Sequence, residues 1–107
     1  MKTNFRTLEL AKILYKQCHV LSVKGAVRDQ LQRASLSVYL NLAEGSGKLT
    51  LKEKNRFNSI ALGSLRETQA ILDLIEAKKE CELADKLAAS IWCLIRAQSA
   101  RLPDALA

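Results

Sequence analysis

The sequence predicts an all-α protein, folded as an antiparallel up-down-up-down four-helix bundle. Apolar residues recur at three- and four-residue steps in four segments, and none of these segments shows the alternation of a strand. One Pro and four Gly in a chain that is 49% hydrophobic disfavour an all-β or a disordered protein. Short connections between helices of similar length place successive helices antiparallel. At 107 residues the chain forms a single domain, 1–107.

The first two helices are predicted at about 4–21 and 25–44. The apolar positions that define them are Phe5, Leu8, Ala11, Leu14 and Cys18 in the first, and Val27, Leu31, Ala34, Val38 and Leu42 in the second. Glycines favour the left-handed backbone that ends many helices. We therefore expect Gly45-Ser46-Gly47 to end the second helix through left-handed residues.

The third and fourth helices are predicted at about 51–78 and 82–101. Thr50 and Glu53 have the spacing of a capping box, which places the start of the third helix at Leu51. Gly63 costs this helix about 1 kcal/mol relative to Ala. Two interpretations of that glycine stay open. It is either a tolerated residue or part of a close helix contact formed by Ala34, Ser35, Ala61, Gly63 and Ser64.

Several apolar residues fall outside the stripe that each helix turns toward the core. They are Ile13, Val20, Leu36, Leu40 and Trp92. Patches of this kind mark protein interfaces, so we expect them to form the interface of a homo-oligomer that closes as a ring or a dimer. The alternative is that irregular helix packing brings some of these residues into the core.

The positive charge is concentrated in one part of the chain. The formal net charge is +6, and residues 1–66 carry 12 basic side chains against four acidic ones. The predicted topology brings the starts of helices one and three to the same end as the finishes of helices two and four. This end would bind nucleic acid through Arg6, Lys48, Lys52, Lys54, Arg56, Arg96 and Arg101. The alternative is that the charge only maintains solubility.

Aromatic rings that stack on bases have to be exposed. Phe5, Tyr15 and Phe57 are expected inside the bundle. Trp92, one turn before Arg96, is expected at a subunit interface rather than against a base.

The sequence contains no pattern that favours catalysis. His19 has no Ser, Cys or carboxylate at a recognised spacing, and Gly45-Ser46-Gly47-Lys48 lacks the spacing of a phosphate-binding loop. Cys18, Cys81 and Cys93 form no CxxC pair and are expected to be small buried hydrophobes. We expect no enzyme, no catalytic residues, no cofactor and no metal.

Apolar residues never continue for the ~18 positions that a membrane span needs. We therefore expect a soluble, cytoplasmic protein with no membrane partner.

A file of polar residues follows the second helix at steps of four, four and three: Arg33, Ser37, Asn41 and Glu44. It is either a recognition surface or a satisfied polar network. The network is favoured because Arg33, Glu44 and Glu67 provide charge partners for one another at a helix or subunit boundary.

Three segments resemble the four-helix-bundle proteins encoded in 23S rRNA intervening sequences. They are Gln30-Leu31-Gln32-Arg33-Ala34-Ser35-Leu36-Ser37, Asn41-Leu42-Ala43-Glu44-Gly45 and Ala61-Leu62-Gly63-Ser64-Leu65-Arg66-Glu67. Those proteins are similar to the accessory variability determinant proteins of diversity-generating retroelements. The latter form pentameric barrels, bind nucleic acid and partner a reverse transcriptase. The resemblance therefore implies a basic pentameric ring.

These observations together predict a noncatalytic, homo-oligomeric protein that binds RNA or DNA. Its expected role is that of an accessory factor to a reverse transcriptase or to a structured RNA. The alternative is a protein-interaction scaffold whose basic charge is incidental.

Overall fold

The protein is built from four α-helices. The computed structural model describes residues 2–101, with side chains from residue 4 onward. The helices are α1 (Lys2–His19), α2 (Gly25–Ser46), α3 (Leu51–Leu74) and α4 (Lys78–Ala100), and no strand occurs in this part of the chain. The all-α prediction is confirmed. The predicted domain of residues 1–107 also includes residues 1 and 102–107, which lie outside the described residues.

The helices pack as a closed set of neighbours around one core. α1 contacts α2 and α4, α2 contacts α3, and α3 contacts α4. The largest fully buried apolar side chains come from all four helices: Leu14, Leu31, Val38, Leu42, Leu65, Leu72, Leu87 and Ile91. Each such side chain contributes about 1.5–3 kcal/mol of hydrophobic free energy. The result is a rod with principal extents of 46 × 21 × 20 Å.

Hydrogen bonds across α3 and α4 show how these two helices align. The bonds run from Asn55 Nδ2 to Ser99 Oγ (2.8 Å), from Asn58 Nδ2 to Gln98 Oε1 (3.0 Å) and from Gln69 Nε2 to Asp85 Oδ1 (2.9 Å). The partner numbers fall along α4 as the numbers rise along α3. That order is the one given by antiparallel packing.

The start of α3 confirms the cap predicted at Thr50. The Glu53 backbone N–H donates to Thr50 Oγ1 at 3.1 Å. The reciprocal half of the capping box is replaced by another contact, because the Glu53 carboxylate accepts from Arg56 Nε at 3.0 Å.

The predicted turn between α3 and α4 is displaced. α3 ends at Leu74 rather than residue 78, and α4 begins at Lys78 rather than residue 82. The reversal uses Glu76, whose φ is +57°, a left-handed conformation that few non-glycine residues adopt. Apolar spacing continues through Ile75 and no glycine marks the turn, so the pattern alone extended α3 by about one turn.

The ends of α1 and α2 also differ from the prediction. α1 ends at His19 rather than residue 21, and α2 continues to Ser46 rather than ending at residue 44. The expected left-handed glycine termination is wrong, since Gly47 has a right-handed φ of −89°. The glycine with positive φ is Gly25, at +67°, where α2 begins.

Gly45 is buried for a reason that the sequence did not reveal. A Cβ at this position would lie 2.9 Å from Phe57 Cβ and 3.3 Å from the Lys54 carbonyl oxygen. Real Cβ atoms essentially never approach another heavy atom to less than 3.0 Å. The glycine therefore lets the end of α2 meet the start of α3.

Gly63 has the opposite surroundings. It is exposed, and a Cβ there would have no neighbour within 4 Å. The tolerated-glycine interpretation is confirmed, and the predicted close contact is wrong at Gly63, although Ala34, Ser35 and Ala61 are buried.

Candidate nucleic-acid interface

One end of the rod contains a cleft of about 460 Å³. It is formed by the start of α1, the end of α2, the start of α3 and the end of α4. The residues that line it are Asn4, Ser46, Leu51, Lys54, Cys93, Leu94, Ala97, Gln98 and Arg101. The structure thus brings together two of the predicted nucleic-acid-binding residues, Lys54 and Arg101.

Three of the predicted basic residues make contacts within the chain: Lys48, Arg56 and Lys54. Lys48 Nζ lies 3.1 Å from the Glu44 carboxylate, and Arg56 pairs with Glu53 at 3.0 Å. Both cations also lie over the ring of Phe57, at 5.1 and 4.7 Å from its centroid. Such surface ion pairs contribute about 1 kcal/mol or less. They nevertheless reduce the charge that these two residues present to a ligand.

Lys54 keeps part of its hydrogen-bonding capacity. Its Nζ donates to the Ser46 carbonyl oxygen at 3.0 Å. A lysine ammonium has three donors, so two remain for a ligand in the cleft.

The other four predicted basic residues are exposed: Arg6, Lys52, Arg96 and Arg101. Within residues 4–101 none of the four side chains takes part in a hydrogen bond or an ion pair. Together with Lys48, Lys54 and Arg56 they give this end seven basic side chains. Within the same range the acidic side chains there number three: Glu9, Glu44 and Glu53. An uneven distribution of this kind attracts polyanions. We call this region, comprising the seven predicted basic residues and the cleft, the cationic end.

Phe5 is exposed, although the sequence-based expectation placed it in the core. Its exposed fraction is 67%. Thr7 is fully buried, and Phe5 stands two residues earlier on α1, about 200° around the helix. That offset from a core position was readable in the sequence. Phe5 therefore adds an accessible aromatic ring at the cationic end.

The predicted outer apolar residues do face outward. Ile13, Val20, Leu36, Leu40 and Trp92 are all exposed, from 38% for Leu36 to 77% for Val20. Ile60 on α3 is exposed as well and was missed as an individual site. The predicted oligomer depends on these positions. Because the structure contains one chain, the oligomer stays a prediction.

The polar file is divided by the structure into two groups. Ser37 and Ser64 share a hydrogen bond of 2.8 Å between their hydroxyl oxygens, and Asn41 Nδ2 donates to Ser37 O at 2.9 Å and to Ser37 Oγ at 3.1 Å. Thr68 Oγ1 donates to the Ser64 carbonyl oxygen. These bonds connect the Asn-x-Ala-Glu-Gly segment of α2 to the Gly-Ser-Leu-x-Glu segment of α3.

The charged members of the predicted network stay outside it. Arg33, Glu44 and Glu67 are exposed, and Glu44 pairs with Lys48. Over the described residues Arg33 makes no ion pair, so a network of these charges within one chain is wrong. Each charge is solvated at the surface and needs no internal partner. Their pairing at a subunit boundary stays a prediction.

The three cysteines have different environments. Cys18 is buried, and burial raises the pKa of its thiol to about 12. Burial also raises the pKa of the half-buried Cys81 thiol, with smaller effects from the carboxylates of Asp73, Asp85 and Glu80. Cys93 is exposed at the cleft, so the expectation of a buried residue is wrong there.

His19 and the possible metal ligands are the remaining residues that could support chemistry. His19 is exposed and stacks on Tyr15, with 6.0 Å between ring centroids. Across the described chain no group of three His, Cys, Asp or Glu residues has a metal-binding arrangement. None of the described helices combines the length and the apolar character needed to cross a membrane.

Four packed helices with a cationic end define the class of protein: an all-α, four-helix protein with a basic surface at one end. The sequence model of the 23S rRNA-intervening sequence protein family matches residues 4–95. The chain belongs to that family. The matched range includes the Asn-x-Ala-Glu-Gly and Gly-Ser-Leu-x-Glu segments, which are connected through Ser37 and Ser64. No curated protein and no solved structure matches the chain.

Proposed function

We propose that this protein is a noncatalytic, homo-oligomeric nucleic-acid-binding protein. The observation that carries the proposal is the cationic end, where the side chains of four basic residues have no hydrogen-bond or ion-pair partner within residues 4–101: Arg6, Lys52, Arg96 and Arg101. The protein would act in the cytoplasm on RNA or DNA, without a cofactor. It would be an up-down-up-down antiparallel bundle, and an accessory factor to a reverse transcriptase or to a structured RNA. The proposed reverse-transcriptase role and the proposed pentameric ring both rest on the resemblance to accessory variability determinant proteins.

The binding mechanism follows from the charge distribution. A basic surface that neutralises phosphates releases the counterions condensed on a nucleic acid, and this release supplies affinity with little base specificity. In a closed ring the cationic ends of all copies lie on symmetry-related positions, so one polyanion contacts several of them. We therefore expect affinity to fall steeply as salt increases.

The outer apolar residues support assembly. Covering a large apolar side chain contributes about 1.5–3 kcal/mol, and α1, α2 and α4 each expose at least one, for instance Val20, Leu40 and Trp92. Exposed Arg33 and Glu67 on neighbouring helices would pair across the boundary between copies. This pairing is the subunit form of the predicted polar network.

The test combines salt dependence with charge reversal. Binding of a fluorescent RNA strand is followed by anisotropy at increasing salt for the parent protein, for Lys52→Glu and for Arg101→Glu. Both variants should abolish or strongly weaken binding and keep the oligomeric mass. Lys86→Glu is the matched control, because Lys86 is exposed on α4 about 22 Å from Arg101 along the helix. Binding that does not change with salt would contradict the proposal.

A protein-interaction scaffold is the second candidate. It is favoured by the outward position of Leu36, Leu40 and Trp92, which a different protein would cover as well as another copy would. A protein that binds no mixed-sequence RNA or DNA even at low salt would support the scaffold and exclude the first proposal.

A further inference from the structure

We propose that the cleft at the cationic end holds one unpaired nucleotide of a single-stranded nucleic acid. This inference rests on the proposed nucleic-acid binding and adds the form of the ligand. The cleft volume of about 460 Å³ lies within the range of roughly 300–1,000 Å³ found for small-molecule sites. A duplex keeps its bases stacked and paired, whereas an unpaired base is free to enter a cleft of this size.

The cations of the cleft suit a phosphate group. Lys54 has two ammonium donors left after its bond to Ser46 O, and the exposed Arg101 guanidinium carries five N–H donors. Lys54 approaches the cleft from α3, and Arg101 approaches it from the position directly after the end of α4. A phosphate between them would receive donors from two sides, which fixes the position of the strand.

The rest of the lining suits a base and its sugar. Leu51, Leu94 and Ala97 provide apolar surface. Gln98 accepts from Asn58 Nδ2 through its Oε1 atom, and this bond holds the amide so that its NH₂ group remains available as a donor. Asn4 adds a second amide. Hydrogen bonds from such side chains to the edges of an unpaired base are one way in which proteins hold it.

Cys93 provides a built-in reporter of occupancy. It lines the cleft and is exposed, so a maleimide reagent reaches it in the free protein. Cys81 lies beside Asp73, Glu76, Lys78 and Glu82, away from the residues that line the cleft, and serves as an internal control. Cys18 is buried and remains unreactive while the protein is folded.

The experiment measures the alkylation rate of Cys93 by mass spectrometry with bound nucleic acid. The probes are a single-stranded RNA of about 16 nucleotides, a DNA strand of the same sequence and the corresponding blunt DNA duplex, each at about ten times its dissociation constant. Either single strand should slow alkylation of Cys93 about tenfold, because only the free fraction reacts. Cys81 should react at its original rate. The bound duplex should leave the Cys93 rate within about twofold of that of the free protein. The comparison of RNA with DNA shows which kind of strand protects Cys93 better from alkylation.

Three variants strengthen the test. Alkylation of the parent protein should weaken its binding of the single strand at least tenfold, whereas maleimide treatment should leave the affinity of Cys93→Ser equal to that of the untreated variant. Arg101→Glu should remove the protection, and Lys86→Glu should retain it.

The outcomes separate the two proposals. Salt-dependent binding without protection of Cys93 overturns the cleft assignment and leaves the proposed function standing. Equal protection by the duplex overturns the single-strand assignment alone. No binding of any of the three probes at low salt overturns both proposals.

Discussion

Replacing Gly45 with alanine tests why the Asn-x-Ala-Glu-Gly segment ends in glycine. The added Cβ would lie 2.9 Å from Phe57 Cβ and 3.3 Å from the Lys54 carbonyl oxygen. Neither neighbour is the free end of a flexible side chain, since one belongs to the backbone and the other is bonded to it. α2 and α3 must therefore separate slightly at this end of the bundle.

Two opposing effects determine the magnitude. Overpacking a well-packed contact by one methyl group costs about 1–3 kcal/mol. Alanine is favoured over glycine inside a helix by about 1 kcal/mol. The expected net result for Gly45→Ala is a destabilisation of about 1 kcal/mol. For a domain of this size that loss lowers Tm by about 4–8 °C.

Gly63→Ala is the matched control, because it introduces the same methyl group into open space on α3. It should stabilise the protein by about 1 kcal/mol, so the two variants shift in opposite directions. Thermal unfolding followed by circular dichroism at one fixed protein concentration measures both shifts. The packing explanation is refuted if Gly45→Ala raises Tm as Gly63→Ala does.

Three further predictions follow from the structure. Leu65→Ala should lower the free energy of unfolding by about 2–5 kcal/mol in denaturant titrations because Leu65 is fully buried. Leu49→Ala should change it by less than about 0.5 kcal/mol because Leu49 is 99% exposed, and equal losses would contradict the assigned core. The raised pKa of Cys18 should make stability fall as pH increases from 9.0 toward about 12, since the unfolded thiol ionises first. Cys18→Ala should have a shallower loss over that window in urea titrations, and an unchanged slope would count against it. Arg33→Ala should leave the unfolding free energy of the single chain unchanged and weaken assembly in sedimentation experiments. An unchanged mass distribution would show that Arg33 has no role between copies.

The fold followed from the sequence where apolar periodicity was uninterrupted. Leu14, Leu31 and Leu42 were assigned to the core from spacing alone, and all are fully buried. The turn after Leu74 could not be located in this way, because Glu76 adopts a left-handed conformation without a glycine to signal it. The predicted glycine termination of α2 failed for a related reason. The identity of a residue shows which backbone conformations it permits, whereas the packing of the neighbouring helices determines which conformation it adopts.

The candidate site was predictable as a region rather than as a set of contacts. Helix order was enough to bring Lys54 and Arg101 to one end. Sequence did not reveal that Arg56 is paired with Glu53 and lies over Phe57, because those contacts depend on side-chain conformation. It also placed Phe5 inside the bundle, although its position relative to Thr7 on α1 directs it outward.

Sedimentation equilibrium of the full chain at micromolar concentration tests the central claim most directly. The proposed ring of cationic ends, with the apolar faces covered between copies, requires several copies to associate. The expected mass is about five times the 11.9 kDa of one chain. A species of 11.9 kDa that persists as the concentration is raised would contradict the proposed assembly.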